Sequence, residues 1–131
     1  MSPALVAAVL LSGAVMAVVR FLVATWASSR RRSAVTTGFP AAVLIVNAVG
    51  SAIAGAAAGF AAAGLLPSEI ETVLLVGIAG GLTTFSTFNV ETVQLVLARR
   101  YRIAITSVAA NYAIGIAFAA AAYYATQALA S

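Results

Sequence analysis

Four long apolar runs, Ala4 to Trp26, Pro40 to Leu65, Thr72 to Leu97 and Ile103 to Leu129, take up almost the whole chain and leave only short polar connectors. About 20 apolar residues in a helix cross the hydrocarbon core of a bilayer. Inside that core every backbone N–H and C=O must find a partner within the protein, which favours helices over open strands. The runs therefore predict an all-α membrane protein with four transmembrane helices, residues 1–131 forming one domain. Charged residues make up 8% of the chain, against roughly 25% in a soluble domain, and this excludes an ordinary water-soluble fold. The first run has the apolar character of a secretion signal. It lacks a positive leading segment and extends past Arg20 to Trp26, so an uncleaved helix is expected.

With no cysteine and no histidine, disulfides, thiol nucleophiles and zinc centres of the usual kind are ruled out. The carboxylates are Glu69, Glu71 and Glu91, and no catalytic constellation is visible, so the chain is not expected to be an enzyme. Its net charge of +4 comes entirely from arginine, in positions that suit membrane topology better than nucleic-acid binding.

The connectors carry the topology. The first, Ser28 to Gly38, holds Arg30, Arg31 and Arg32; the third is Arg99-Arg100-Tyr101-Arg102, short enough to force an antiparallel hairpin. The second, around Leu66-Pro67-Ser68-Glu69, is a turn in which Pro67 opens the next helix and Ser68 with Glu71 has capping-box spacing. In a four-span chain the first and third connectors share one side. Six of the seven arginines lie there, so the positive-inside rule places those connectors in the cytoplasm and both termini outside.

One stretch interrupts the apolar pattern. Gly80-Gly81-Leu82-Thr83-Thr84-Phe85-Ser86-Thr87-Phe88 sets two glycines, four hydroxyls and two aromatic rings at membrane depth. Irregular, polar backbone is tolerated there only against protein or a wet cavity, so the stretch suggests a conduction or binding site. Phe85 and Phe88 share a helix face, with Thr84, Thr87 and Glu91 on neighbouring positions. Helix packing is the ordinary alternative, with phenylalanines facing lipid and threonines bonded to their own backbone. Four hydroxyls within five residues exceed what backbone capping requires.

This run resembles the signature of the bacterial fluoride channel family, Fluc or CrcB, whose members are small four-helix membrane proteins of about this length. Arg20 in the first span, Asn47-Ala-Val-Gly50-Ser51 in the second and Glu91 after the run support the resemblance. It implies an antiparallel dimer with two fluoride pores, a third helix broken at its middle, and a structural sodium ion held at the dimer centre by the backbone carbonyls of Gly80 and Thr83. It also implies passive fluoride export from the cytoplasm that lowers fluoride toxicity, in a bacterial plasma membrane. Phe85 and Phe88 match the family's pore phenylalanines.

The residue chemistry fits such a path. Fluoride is small and strongly hydrated, so a pore must replace its water with donors without trapping it on a fixed cation. Asn47 offers an amide, Thr84, Ser86 and Thr87 offer hydroxyls, and the phenylalanine rims are electropositive. In the fourth span Ser107, Asn111 and Gly115 recur at four-residue intervals beside Tyr112. Ser107 and Asn111 are candidates to continue the path, where the family commonly carries a tyrosine-led polar track; packing between helices explains Asn111 as well. Arg20 is a candidate for the aqueous vestibule, with snorkelling as the alternative. Glu91 is expected to support neighbouring polar groups, since a bare carboxylate repels an anion. Ser51, Gly55 and Gly59 along the second span are a small-residue packing stripe.

Two rival classes remain at this stage. A small multidrug-type cation exporter needs a carboxylate in its first span, where this chain has Arg20. A non-transporting structural subunit leaves the polar run without a purpose. The arginine bias also bears on assembly: insertion of one chain in both orientations needs balanced charge, so a fixed-orientation subunit is expected, pairing with a similar chain of opposite bias.

Overall fold

A computed structural model describes residues 1–29 and 38–130, and all the regular structure among them is helical. Helix α1 spans Pro3–Ser29 and α2 spans Ala41–Ala62. Helix α3, Ser68–Thr72, runs directly into a wide π-helical segment, Val73–Ala79, and then into the single turn α4, Gly80–Leu82. Helix α5 covers Phe85–Leu97 and α6 covers Tyr101–Ala130. Four stretches, Pro3–Ala27, Ala41–Ala62, Ser68–Leu97 and Tyr101–Ala130, are long and apolar enough to cross a bilayer, which makes this a multi-pass membrane protein. Residues 30–37 of the first connector, with Arg30, Arg31 and Arg32, lie outside the described residues.

The turns are built by specific backbone chemistry. At the end of α2, Gly64 takes a left-handed φ of 71°; its N–H donates to Ala61 C=O and that of Leu65 to Phe60 C=O. This is a Schellman closure, for which glycine is the least strained residue. The end of α5 is closed in the same way, with Arg99 N–H on Val96 C=O and Arg100 N–H on Leu95 C=O. Here the left-handed residue is Arg99, at φ 57°, and the tight reversal sets α5 against α6 as an antiparallel hairpin. The expected capping box at Ser68 does not form. Pro67 is the N-cap, so Ser68 already belongs to the helix, and its hydroxyl donates to Glu69 Oε2 at 3.3 Å. The third span begins at Ser68, directly after the Pro67 expected to open it, with Glu69 and Glu71 in its first turn where the helix dipole favours negative charge.

Packing is governed by small residues. The most extensive seam joins α2 to α6. A Cβ at Gly55 would collide with the Ala119 backbone, and one at Gly59 with Thr126 and the Tyr123 carbonyl. The stripe read from Ser51, Gly55 and Gly59 thus lets two backbones touch, as dispersion-driven packing in lipid requires. Helix α1 packs on the π-helical segment and α4, where Gly81 lies against Gly13 and Met16, and Gly77 against Ser12. Large apolar side chains on the outer faces, among them Leu10, Phe21, Ile105 and Ile116, remain exposed, as lipid contact demands.

Candidate functional site

The helix ends at Leu82 because Thr83 turns to an extended conformation, φ −73°, ψ 156°, and Thr84 follows at φ −143°, ψ 116°. Extended residues lose their intrahelical partners, and these must be replaced inside a membrane. Side chains from distant helices do so. Thr84 N–H donates to Asn47 Oδ1 at 2.9 Å, and Asn47 Nδ2 makes a long 3.4 Å contact with Thr84 C=O. The Asn47 carboxamide therefore acts on Thr84 much as a neighbouring peptide group would. Thr83 C=O accepts a 2.6 Å hydrogen bond from Arg20 Nη1, a charge-assisted bond of the stronger kind.

The next helix is started locally. Thr84 is the N-cap of α5; its Oγ1 accepts from Thr87 N–H at 3.2 Å and donates to Thr87 Oγ1 at 3.0 Å. This consumes one of the N–H groups that every helix start leaves open. The ring centroids of Phe85 and Phe88 lie 6.2 Å apart. Phe88 is 8% exposed and meets Tyr112 edge-on at 6.3 Å, whereas Phe85 is 70% exposed. One ring of the pair thus belongs to the interior and the other to the outer surface of the chain.

An open cavity of about 250 Å³ lies at this junction, lined by Asn47, Ser51, Thr83, Thr84, Phe85, Phe88, Asn111 and Tyr112. Asn111 joins the same network, its Oδ1 accepting from Asn47 Nδ2 at 3.0 Å and its Nδ2 donating to Ser107 C=O at 3.0 Å. Of the expected pore residues, the fold brings together Asn47, Thr84, Phe85, Phe88 and Asn111. Ser86 and Thr87 are exposed and lie outside the lining, and Glu91 is half-buried, one helical turn beyond Phe88. Ser107 is fully buried; its Oγ has no hydrogen-bond partner and does not reach the cavity. Arg20 is half-buried and held on Thr83, a distinct arrangement from a side chain reaching for the membrane surface.

The family model for "CrcB-like protein, Camphor Resistance (CrcB)" matches residues 7–123. This chain belongs to the CrcB family. Its CrcB relatives include a "Fluoride-specific ion channel FluC" of Renibacterium salmoninarum, 38% identical over 108 residues that cover 81% of this chain and 86% of the relative. A protein of the same name from Geobacter metallireducens is 35% identical over 113 residues, 86% of this chain and 88% of the relative. "Fluoride-specific ion channel FluC 1" of Nocardia farcinica is 37% identical over 124 residues, 95% of this chain and 79% of the relative. The resemblance drawn from the Gly80 to Phe88 run is thereby established at family level.

Three lining residues were not among the pore candidates read from the CrcB run. Tyr112 was noted only as a neighbour of Asn111, Ser51 as a packing residue and Thr83 as a carbonyl donor. Tyr112 follows Asn111 by one residue and so stands about 100° round the helix from it. Nothing local separates that from a lipid-facing tyrosine.

Proposed function

We propose that this chain is a subunit of a fluoride-selective channel that lets fluoride leave the cytoplasm passively and so lowers its toxicity. The observation that carries this reading is the cavity at Thr83 and Thr84, where amide donors and aromatic rings converge in a chain whose relatives bear the name of fluoride-specific channels. Anion dehydration there is offset by the Asn47 amide, by hydroxyl donors and by the rims of Phe85 and Phe88. None of these is a full positive charge, so fluoride is bound weakly enough to leave. Arg20, anchored on the backbone carbonyl of the cavity-lining Thr83, raises the local positive potential without itself entering the lining.

The functional unit in this reading is an antiparallel dimer, with the extended Thr83 and Thr84 as the break in one membrane-spanning element. Support comes from Phe85, which a lone subunit leaves exposed beside the cavity, and from Gly80, which is exposed and where a Cβ would meet only the Leu75 carbonyl. A second subunit would cover both. The arginine bias favours a partner chain of opposite orientation over a second copy, with both termini of this chain outside the bacterial plasma membrane.

A structural sodium ion fits the chemistry of this surface. Gly80 is exposed, and the Thr84 N–H that would close its helical hydrogen bond is turned to Asn47 instead, leaving the Gly80 carbonyl open. The Thr83 carbonyl, the second oxygen of the proposed set, already accepts from Arg20 and has one lone pair to offer. When bound, sodium would supply a fixed positive charge at the subunit interface.

Fluoride efflux from proteoliposomes, followed with a fluoride electrode and compared with chloride, tests the function. Selective fluoride flux is expected in wild type, falling at least about tenfold in Phe85→Ile or Phe88→Ile because one donor rim is removed. Lack of fluoride flux in wild type, with or without a chain of opposite charge bias, would sink the reading. Drug-driven proton exchange would favour a cation exporter.

A further inference from the structure

The Asn47 and Asn111 carboxamides form a hydrogen-bond chain whose direction is fixed by its two ends. Thr84 N–H can only donate, and it donates to Asn47 Oδ1 at 2.9 Å. Ser107 C=O can only accept, and it accepts from Asn111 Nδ2 at 3.0 Å. The middle link then has one solution: Asn47 Nδ2 donates to Asn111 Oδ1, at 3.0 Å. An amide's oxygen and nitrogen are nearly alike in shape, so the network decides which way each points. Turning either amide over would set donor against donor or acceptor against acceptor.

The same geometry shows what is left over. One N–H of Asn47 is taken by Asn111, and the other has only the 3.4 Å contact with Thr84 C=O, longer than a normal N–H···O bond. Asn47 lines the cavity, so this weakly engaged N–H is the donor an entering anion would meet.

We infer that Asn111 is a positioning residue: it locks the Asn47 carboxamide with its oxygen on the Thr84 N–H and its spare N–H toward the cavity. Ser107 serves this chain through its backbone carbonyl, since its hydroxyl is buried without a partner. The effect on transport rests on the fluoride reading above; the orientation of Asn47 rests on the hydrogen bonds alone.

Two variants test it in the full-length protein: Asn111→Leu, similar in shape but unable to accept, and Asn111→Ser, too short to reach Asn47. The primary measurement is hydrogen exchange at Thr84 N–H, with Ala57, buried within the unbroken helix α2, as the control. Loss of one neutral hydrogen bond should speed Thr84 exchange about three- to tenfold in both variants, with Ala57 unchanged and fluoride efflux reduced in parallel. In an Asn47→Ala background, where Thr84 has already lost its partner, Asn111→Leu should add nothing further. Thr84 exchange at the wild-type rate in both variants would overturn the inference, as would full additivity with Asn47→Ala. A wild-type protein that carries no fluoride would reject the channel reading, and the exchange data would still decide the role of Asn111.

Discussion

The α2–α6 seam and the α4–α5 junction solve the same problem in opposite ways. Along the seam, Gly55 and Gly59 bring two intact helices into backbone contact with Ala119 and Tyr123, and nearly every peptide group keeps its own helical partner. At the junction the helix is given up for two residues, and Asn47 and Arg20 supply the partners that Thr83 and Thr84 no longer find locally. Close packing produces rigidity with no chemical features. Opening the backbone produces a cavity lined with donors, at the cost of depending on a few long-range side chains.

The sharpest way to break this comparison is at the seam. Gly55→Leu would drive a side chain into the Ala119 backbone, which cannot yield as a side chain can. A loss of about 3 kcal/mol or more is expected, read as failure to recover a monodisperse protein. Normal elution and melting would show that the seam is looser than its geometry.

At the junction a single side chain should matter nearly as much. Asn47→Ala strands the Thr84 N–H and the Asn111 oxygen together, costing about 1–2 kcal/mol and impairing fluoride throughput. Unchanged efflux in a folded Asn47→Ala protein would remove Asn47 from the ion's path. Thr84→Val keeps the volume but removes the cap on Thr87 N–H, so about 1 kcal/mol should be lost from the thermal transition. That change should leave the α2–α6 seam untouched in hydrogen exchange.

The smallest structural effect is expected at Gly80. A Cβ there meets only the Leu75 carbonyl, at 3.5 Å, so Gly80→Ala should alter subunit stability by less than about 0.5 kcal/mol. A drop in fluoride flux without a change in stability would sharpen the proposal that this surface serves an ion and a partner. Flux at the wild-type level would leave Gly80 as ordinary helix surface.

Much of this was legible in the residues. Four spans followed from the apolar runs, and Pro67 marked the turn that opens the third, whereas the Gly64 closure inside the second run was not read. The Gly80 to Phe88 run announced a departure from plain helix. The sequence could also say that Arg20, a charge within a span, needed a partner, but not that the partner was a carbonyl 63 positions away. Ser68 shows a local rule misread: its spacing to Glu71 suited a cap, yet Pro67 takes the cap position and draws Ser68 into the helix.

What the sequence by itself determined is the membrane class, the number of spans and the place where regular structure gives way, because hydropathy and helix-weakening residues act over a few neighbours. What only the tertiary structure decided is the content of that place: Asn47 bridging to Thr84, Asn111 orienting Asn47, and Tyr112 closing on Phe88. These contacts join three different spans. Their existence depends on how α2, α5 and α6 are rotated and shifted against one another, and the close approach permitted by Gly55 and Gly59 fixes the position of α6 on α2 to within the reach of one carboxamide for another.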